Sequence, residues 1–219
     1  MSTRGSVQPF EEWAREALQR YNLLGESTLT LLNVSENATF LVETETERRI
    51  LRVHRADYHS LEEIESELDW VDAICESGDI TVAECIRSED GRRVVQAESH
   101  NSEIRNCVMF TFIPGREPAE ADLLPAFSNL GAVTARLHAH AQSWSQPASF
   151  IRKRWDFDTT IGGIGHWGHW RDGMGVSPAE VSLFSTTTHR IGQFLSDYGT
   201  GPDRFGLVHA DLRLANLLV

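Results

Sequence analysis

Three polar residues, His209, Asp211 and Asn216, stand in the run Val208-His-Ala-Asp-Leu-Arg-Leu-Ala-Asn-Leu-Leu-Val219, with apolar residues crowding the gaps between them. Moving a phosphoryl group to a hydroxyl needs a carboxylate that accepts or orients the hydroxyl proton. It also needs an amide oxygen, a fixed distance away, to hold a magnesium ion. The step from Asp211 to Asn216 lets the first face a nucleophile and the second a triphosphate. His209 has the chemistry of a base, but so close to Asp211 its expected work is to organise the loop through hydrogen bonds. A solvated turn with a capping Asn would need neither Leu212, Leu214 nor Leu217-Leu218-Val219 around it.

Other chemistry-bearing residues carry less. His138 with His140, and His166 with His169, would begin a zinc or iron site for a hydrolase. Neither pair has a third ligand at coherent spacing, and two residues at i and i+2 on a helix face different ways. Arg152-Lys153-Arg154 reads as a solvated basic patch, with contact to an anionic substrate group or the nucleotide as the alternative. The aromatic stretch from Trp155 through His166-Trp-Gly-His-Trp170 reads as a lid or substrate wall. Cys75, Cys85 and Cys107 are odd in number and lack C-x-x-C spacing, which suggests neither a disulfide framework nor a zinc site.

These residues must be positioned by regular elements. A leading amphipathic helix is expected over 9–21, with Phe10, Trp13, Ala17 and Leu18 on its apolar face. Strands are expected at 28–33, 38–43 and 48–54, then a helix opened by a Ser60/Glu63 capping box with Leu61, Ile64, Leu68, Val71 and Ile74 inward. Further strand signals fall at 84–86, 93–96 and 106–112, with Asp90-Gly91 as a hairpin turn. After Ile113-Pro-Gly115 the pattern becomes helical. Phe127, Leu130, Val133 and Leu137 mark a helix over 125–142, started by Pro125, and a second helix covers 178–198. The expected architecture is α+β in two lobes: residues 1–112, a hinge at 113–116, and a partial helical lobe over 117–219.

The catalytic run is the H-R-D-L-x-x-x-N pattern of protein kinases with Ala210 in place of Arg, and it resembles the aminoglycoside phosphotransferase and choline kinase-like superfamily, which includes homoserine kinase-like members. Glu36-Asn-Ala-Thr-Phe-Leu-Val-Glu-Thr44, Ile50-Leu-Arg-Val-His-Arg55 and Val108-Met-Phe-Thr-Phe-Ile-Pro-Gly115 resemble, in order, its first hairpin, third strand and hinge. The resemblance implies a bilobal protein-kinase-like fold, ATP or GTP as co-substrate and Mg2+ as cofactor. Asp211 would be the base, Asn216 a metal ligand, and Arg213 a stabiliser of charge on the transferring group.

The family's third-strand Lys, which pairs with phosphates and with a Glu on the next helix, corresponds to Arg52. Its partner would be Glu67, with Glu63 and Glu65 as rivals. A guanidinium is planar and binds phosphate as a fork rather than as a point charge. The first hairpin has no G-x-G-x-x-G, so Ser35 and Asn37 would approach the phosphates with backbone or side-chain groups. Backbone groups of Phe110, Thr111 and Phe112 would meet the adenine edge. In the helix over 125–142 the resemblance gives His138 a structural role. It also implies a later acidic motif that supplies the main metal ligand. The sequence ends three residues after Asn216, so the expectation is that these residues alone turn over little ATP.

A net charge of −12 argues against nucleic acid as a partner and suits a cationic small substrate. No apolar run approaches the roughly 18 residues of a membrane span, and the first residues have no apolar signal core, so a cytoplasmic protein is expected. The expected acceptor is a hydroxyl of an aminoglycoside, amino alcohol or homoserine-like molecule. A protein Ser/Thr acceptor, or a non-catalytic nucleotide-binding or interaction module, is the alternative.

Overall fold

The computed structural model of the protein describes residues 8–116, 118–119, 123–212 and 216–218. A first helix, α1 (Gln8–Gln19), precedes three strands, β1 (Thr28–Val34), β2 (Asn37–Glu43) and β3 (Arg48–His54). Helix α2 (Leu61–Ser77) follows, then β4 (Cys85–Ile86), β5 (Val94–Glu98) and β6 (Ile104–Thr111). The remainder is helical: α3 (Leu123–Ser143), a single turn α4 (Phe157–Thr160), a 3-10 turn at Trp170–Asp172, and α5 (Pro178–Tyr198).

Side-chain alternation in the strands decides how the six-stranded sheet is covered. Ala38, Phe40, Val42, Leu51, Val53, Val95, Ala97, Cys107 and Met109 point to one face, where Trp13, Ala14, Ala17 and Leu18 of α1 close the core. The intervening residues Val94, Val108 and Phe110 point the other way, against Ile64 and Leu68 of α2. Helix α1 ends where Asn22 takes φ 54°. The N–H groups of Asn22 and Leu23 then reach back to the carbonyls of Gln19 and Leu18, at 3.2 and 3.0 Å. Helix α2 opens on the expected capping box, Ser60 with Glu63, and closes on Gly78 at φ 70°.

The turn at Asp90-Gly91 exists, with the Gly91 N–H donating to the Ser88 carbonyl at 2.8 Å, but it does not make a hairpin. Both β4 and β5 pair antiparallel with the same edge of β6, Ile86 opposite Met109 and Val94 opposite Val108. They are one interrupted strand, and residues 87–93 leave the sheet as an excursion. The expected hairpin is therefore corrected: a local turn signal cannot say which strand takes the edge.

Helix α3 starts two residues earlier than expected, with Pro125 inside its first turn. Its inward line runs through Ala126, Val133 and Leu137, whereas Phe127, expected on that line, is 56% exposed. Trp70 and Ile74 of α2 pack on Leu137, with Leu207 and Leu212 of the catalytic run against the same cluster. The Trp70 indole N–H donates to His140 Nδ1 at 3.3 Å, and His140 Nε2 lies 3.3 Å from the Ala73 carbonyl. His140 is thus the histidine that joins α2 to α3, and His138, which was expected to be structural, is exposed. Helix α5 has a Ser177/Glu180 capping box. It leaves Gly192 where a Cβ would stand 3.2 Å from the Phe157 ring, so α4 rests close against α5 at this position.

Candidate active site

Because β3 alternates, Arg52 emerges on the α2 side of the sheet between inward Leu51 and Val53. Its Nη1 lies 2.8 Å from Glu67 Oε1, and its Cζ stands 4.9 Å from the centre of the Phe110 ring. Buried Ile64 and Leu68 fix the rotation of α2, which turns Glu67 to this side. The rival carboxylates are used elsewhere. Glu63 closes the capping box and meets His59 Nδ1 at 3.2 Å, while Glu65 pairs with Arg93 at 2.6 Å.

Glu67 has a second cation. Arg152 Nη1 lies 3.4 Å from Glu67 Oε2 and donates to the Glu63 carbonyl at 2.8 Å. Burial pushes the Glu67 carboxyl up, but Arg52 and Arg152 together outweigh it and hold the group below its ordinary value. The basic patch reading of residues 152–154 is corrected here. The Ile151 N–H bonds to the buried Ser66 hydroxyl at 3.0 Å, and Lys153 Nζ sits 3.8 Å over the Tyr58 ring. Arg154 meets Asp156 at 2.5 Å and lies 4.7 Å from the centre of the Phe205 ring. Residues 150–154 form a strap across the start of α2. In the sequence, nothing but three basic residues marks it.

In the catalytic run, Asn216 Nδ2 donates to both the carbonyl and Oδ2 of Asp211, at 2.7 and 2.8 Å. The carboxylate and the amide are one unit, and donation through Nδ2 leaves Oδ1 as the amide's acceptor atom. His209 Nδ1 accepts the Asp211 N–H at 3.3 Å, which is a loop-organising bond. Burial lowers the His209 pKa, opposed by the charges of Asp211 and Glu67, so the ring is neutral at pH 7 and able to accept. Ala210 between them has φ 66°, a left-handed conformation that costs a non-glycine residue about 1–3 kcal/mol and recurs where backbone is bent for function. Arg213 lies outside the described residues.

The other expected contacts are uneven. Asn37 Oδ1 accepts the Arg55 N–H at 3.3 Å and Glu36 pairs with Arg55 at 3.1 Å, so the hairpin tip is tied to the end of β3. The Asn37 acceptor is thereby occupied. The Ser35 N–H donates to the Asn37 carbonyl at 3.0 Å, which takes that N–H away from any phosphate. Phe110 has β3 on one side and β4 on the other. Thr111 gives its N–H to the Glu84 carbonyl and accepts the Glu84 N–H on Oγ1, each at 2.9 Å. The Thr111 N–H and hydroxyl are therefore engaged within the sheet. The Phe112 ring itself lies under Arg48, 4.1 Å from Cζ to ring centre. The expected aromatic lid is partly packed on α5, with Trp170 edge-on to Phe184 and Arg171 bonded to Ser185.

A strand-borne cation paired to a helix carboxylate, and a loop holding Asp and Asn as a unit, define the class: a bilobal, protein-kinase-like α+β fold. The profile of the phosphotransferase enzyme family (APH) matches residues 28–219, and the chain belongs to that family. The solved structure of a microcompartment-associated aminopropanol kinase is 45% identical, with a TM-score of 0.83 over 94% of this chain and 63% of that one. Amicoumacin kinase hAmiN, in complex with AMP-PNP, Ca2+ and Ami, is 23% identical, with a TM-score of 0.72 over 94% of this chain and 59% of that one. Spectinomycin phosphotransferase APH(9)-Ia, in complex with ADP and spectinomycin, is 14% identical, with a TM-score of 0.53 over 92% and 64%. These last two bear on the fold alone. The chain spans less than two thirds of each of these proteins. No curated protein sequence matches it. Among the described residues, no helix is long and apolar enough to cross a membrane.

Proposed function

We propose that this chain carries the nucleotide-binding lobe (1–112), hinge (113–116) and catalytic loop of a kinase that moves the γ-phosphate of ATP to a hydroxyl of a small amino alcohol. The observation that carries the reading is the Asp211–Asn216 unit, in which one side chain fixes the position of the other. Asp211 accepts the proton of the acceptor hydroxyl as its oxygen bonds to the γ-phosphorus. The bond from that phosphorus to the β-phosphate oxygen breaks, and ADP leaves. Arg52, paired with Glu67, binds the phosphates through its remaining N–H groups, and Arg213 balances charge on the transferring group.

Magnesium suits the hard oxygen donor that Asn216 presents. When bound, the metal neutralises charge on the triphosphate. Similarity to the aminopropanol kinase supports an amino alcohol acceptor, and the net charge of −12 favours a cationic one. The free thiols of Cys75, Cys85 and Cys107 suit a reducing cytoplasm.

The test is phosphorus NMR of these residues joined to the later acidic motif that the resemblance implies, since alone they are expected to turn over little ATP, with Mg-ATP and, in turn, aminopropanol, other amino alcohols, homoserine and an aminoglycoside. An amino alcohol phosphate is expected, and Asp211→Asn is expected to lower the rate by roughly a hundredfold or more. Binding of Mg-ATP without transfer to any acceptor would replace this reading with the non-catalytic module. Transfer at an undiminished rate by Asp211→Asn would remove Asp211 as base.

A further inference from the structure

Arg152 takes no direct part in the transfer chemistry, yet it shares Glu67 with Arg52. Arg52 Nη1 engages Oε1 at 2.8 Å and Arg152 Nη1 faces Oε2 at 3.4 Å. Two guanidinium groups against one carboxylate leave a positive charge in surplus, and the neighbouring His54 is neutral because burial holds its pKa at about 3. The two arginines are held differently. Arg152 also donates to the Glu63 carbonyl at 2.8 Å, and the residue before it is bonded through its N–H to the buried Ser66 hydroxyl at 3.0 Å. It is fixed to α2 from two directions. Arg52 rides on β3, with one nitrogen on Glu67 and its plane near the Phe110 ring.

A polyphosphate approaching Arg52 also approaches the Glu67 carboxylate. A half-buried carboxylate balanced by Arg52 alone would repel the incoming anion as soon as that guanidinium turned to meet it. We propose that Arg152 is a positioning residue for phosphate binding: it holds and neutralises Glu67, so that Arg52 presents its guanidinium to the nucleotide phosphates. The ion pair of strand and helix is in this protein a triad whose third member comes from the strap after α3. The inference rests on the phosphotransferase reading of the site. It also gives the substitution of Arg for Lys at position 52 a setting, since the planar fork can keep one nitrogen on Glu67 and offer others outward.

The experiment is calorimetric binding of Mg-ATP and, separately, of adenosine to the full chain. The proteins are wild type, Arg152→Ala, Arg152→Lys, Glu67→Gln and the Glu67→Gln/Arg152→Ala double variant. Arg152→Ala is expected to weaken Mg-ATP about tenfold while leaving adenosine within about twofold, because adenosine brings no phosphate. Arg152→Lys restores most of the loss by restoring the charge. In the Glu67→Gln background, Arg152→Ala weakens Mg-ATP by no more than about twofold, since the carboxylate it neutralises is gone. If Arg152→Ala does not fold, Arg152→Met, which keeps the apolar stem, takes its place. Equal weakening of ATP and adenosine, or no weakening of either, overturns the inference and leaves Arg152 as a strap residue. A wild type that binds adenosine and ATP equally well overturns it too, because no phosphate contact then exists. A wild type that binds neither overturns the phosphotransferase reading along with it.

Discussion

His54 lies beside Arg52 and Glu67 with 3% of its surface exposed and, among the described residues, no hydrogen-bond partner at either ring nitrogen. Burial, reinforced by Arg52, holds its pKa near 3 against an ordinary 6.5, so the folded protein keeps the ring neutral where the unfolded chain would protonate it. More protons are then bound by the unfolded state between those values, so stability rises with pH through this window and falls on acidification below about 6.5. His59 and His209, whose pKa values burial also lowers, act in the same sense. Melting temperatures of wild type and His54→Gln at pH 7.5 and 5.0 check this, and the variant is expected to lose less on acidification. At this scale the sequence was legible where chemistry is local. Asp211 and Asn216 are five positions apart and their contact is a property of one loop. Arg152 is 85 residues from Glu67, and no periodicity or motif relates them. Asn37 and Thr111 show the converse: Asn37 Oδ1 and the Thr111 N–H and hydroxyl are engaged by Arg55 and Glu84, neighbours that only the folded chain supplies.

Helix α2 is the element on which the candidate site depends, and each side of it has its own anchor. Glu65, Asp69 and Asp72 form an acidic stripe at helical spacing, and Arg93 meets all three, at 2.6, 2.8 and 3.0 Å. Burial works against the Arg93 charge, but the surrounding carboxylates more than offset it. Arg93→Ala would leave three like charges along one helix face. It is expected to cost about 2–3 kcal/mol, less than a fully buried pair because the carboxylates stay partly in water. Urea unfolding at pH 7 measures it, and part of the loss should be recovered in 1 M salt. On the sheet's other face, Phe40→Ala is expected to cost about 3–5 kcal/mol, since its side chain is 1% exposed in the core beneath α1. The periodicities that revealed α1, α2 and β1 to β3 are one-dimensional and survive in the sequence. The pairing of β4 and β5 with the same edge of β6 is not, so Asp90-Gly91 suggested a hairpin that the excursion 87–93 replaces.

Across the whole molecule, the sheet presents α1 to one core and α2 to another, and a third cluster, Trp70 and Leu137 with Leu212, ties α2 and α3 to the catalytic loop. The fold class was readable because these cores require the order of strands and helices that the sequence displays. The strap was not, because it has no regular secondary structure and so no periodicity to mark it. One consequence lies in time rather than in space. With Arg93 gripping its outer side, Arg52 and Arg152 its inner side, and His140 its far end, α2 has no slack with which to swing. A nucleotide should therefore meet a site already assembled, and binding should be a single collision-limited event. Stopped-flow traces are expected to show one exponential whose rate grows linearly with ATP concentration. A slow phase that levels off at high ATP would mean that α2 moves after all. Amide exchange along 64–74 should be as slow as in β3 and β6, with or without nucleotide.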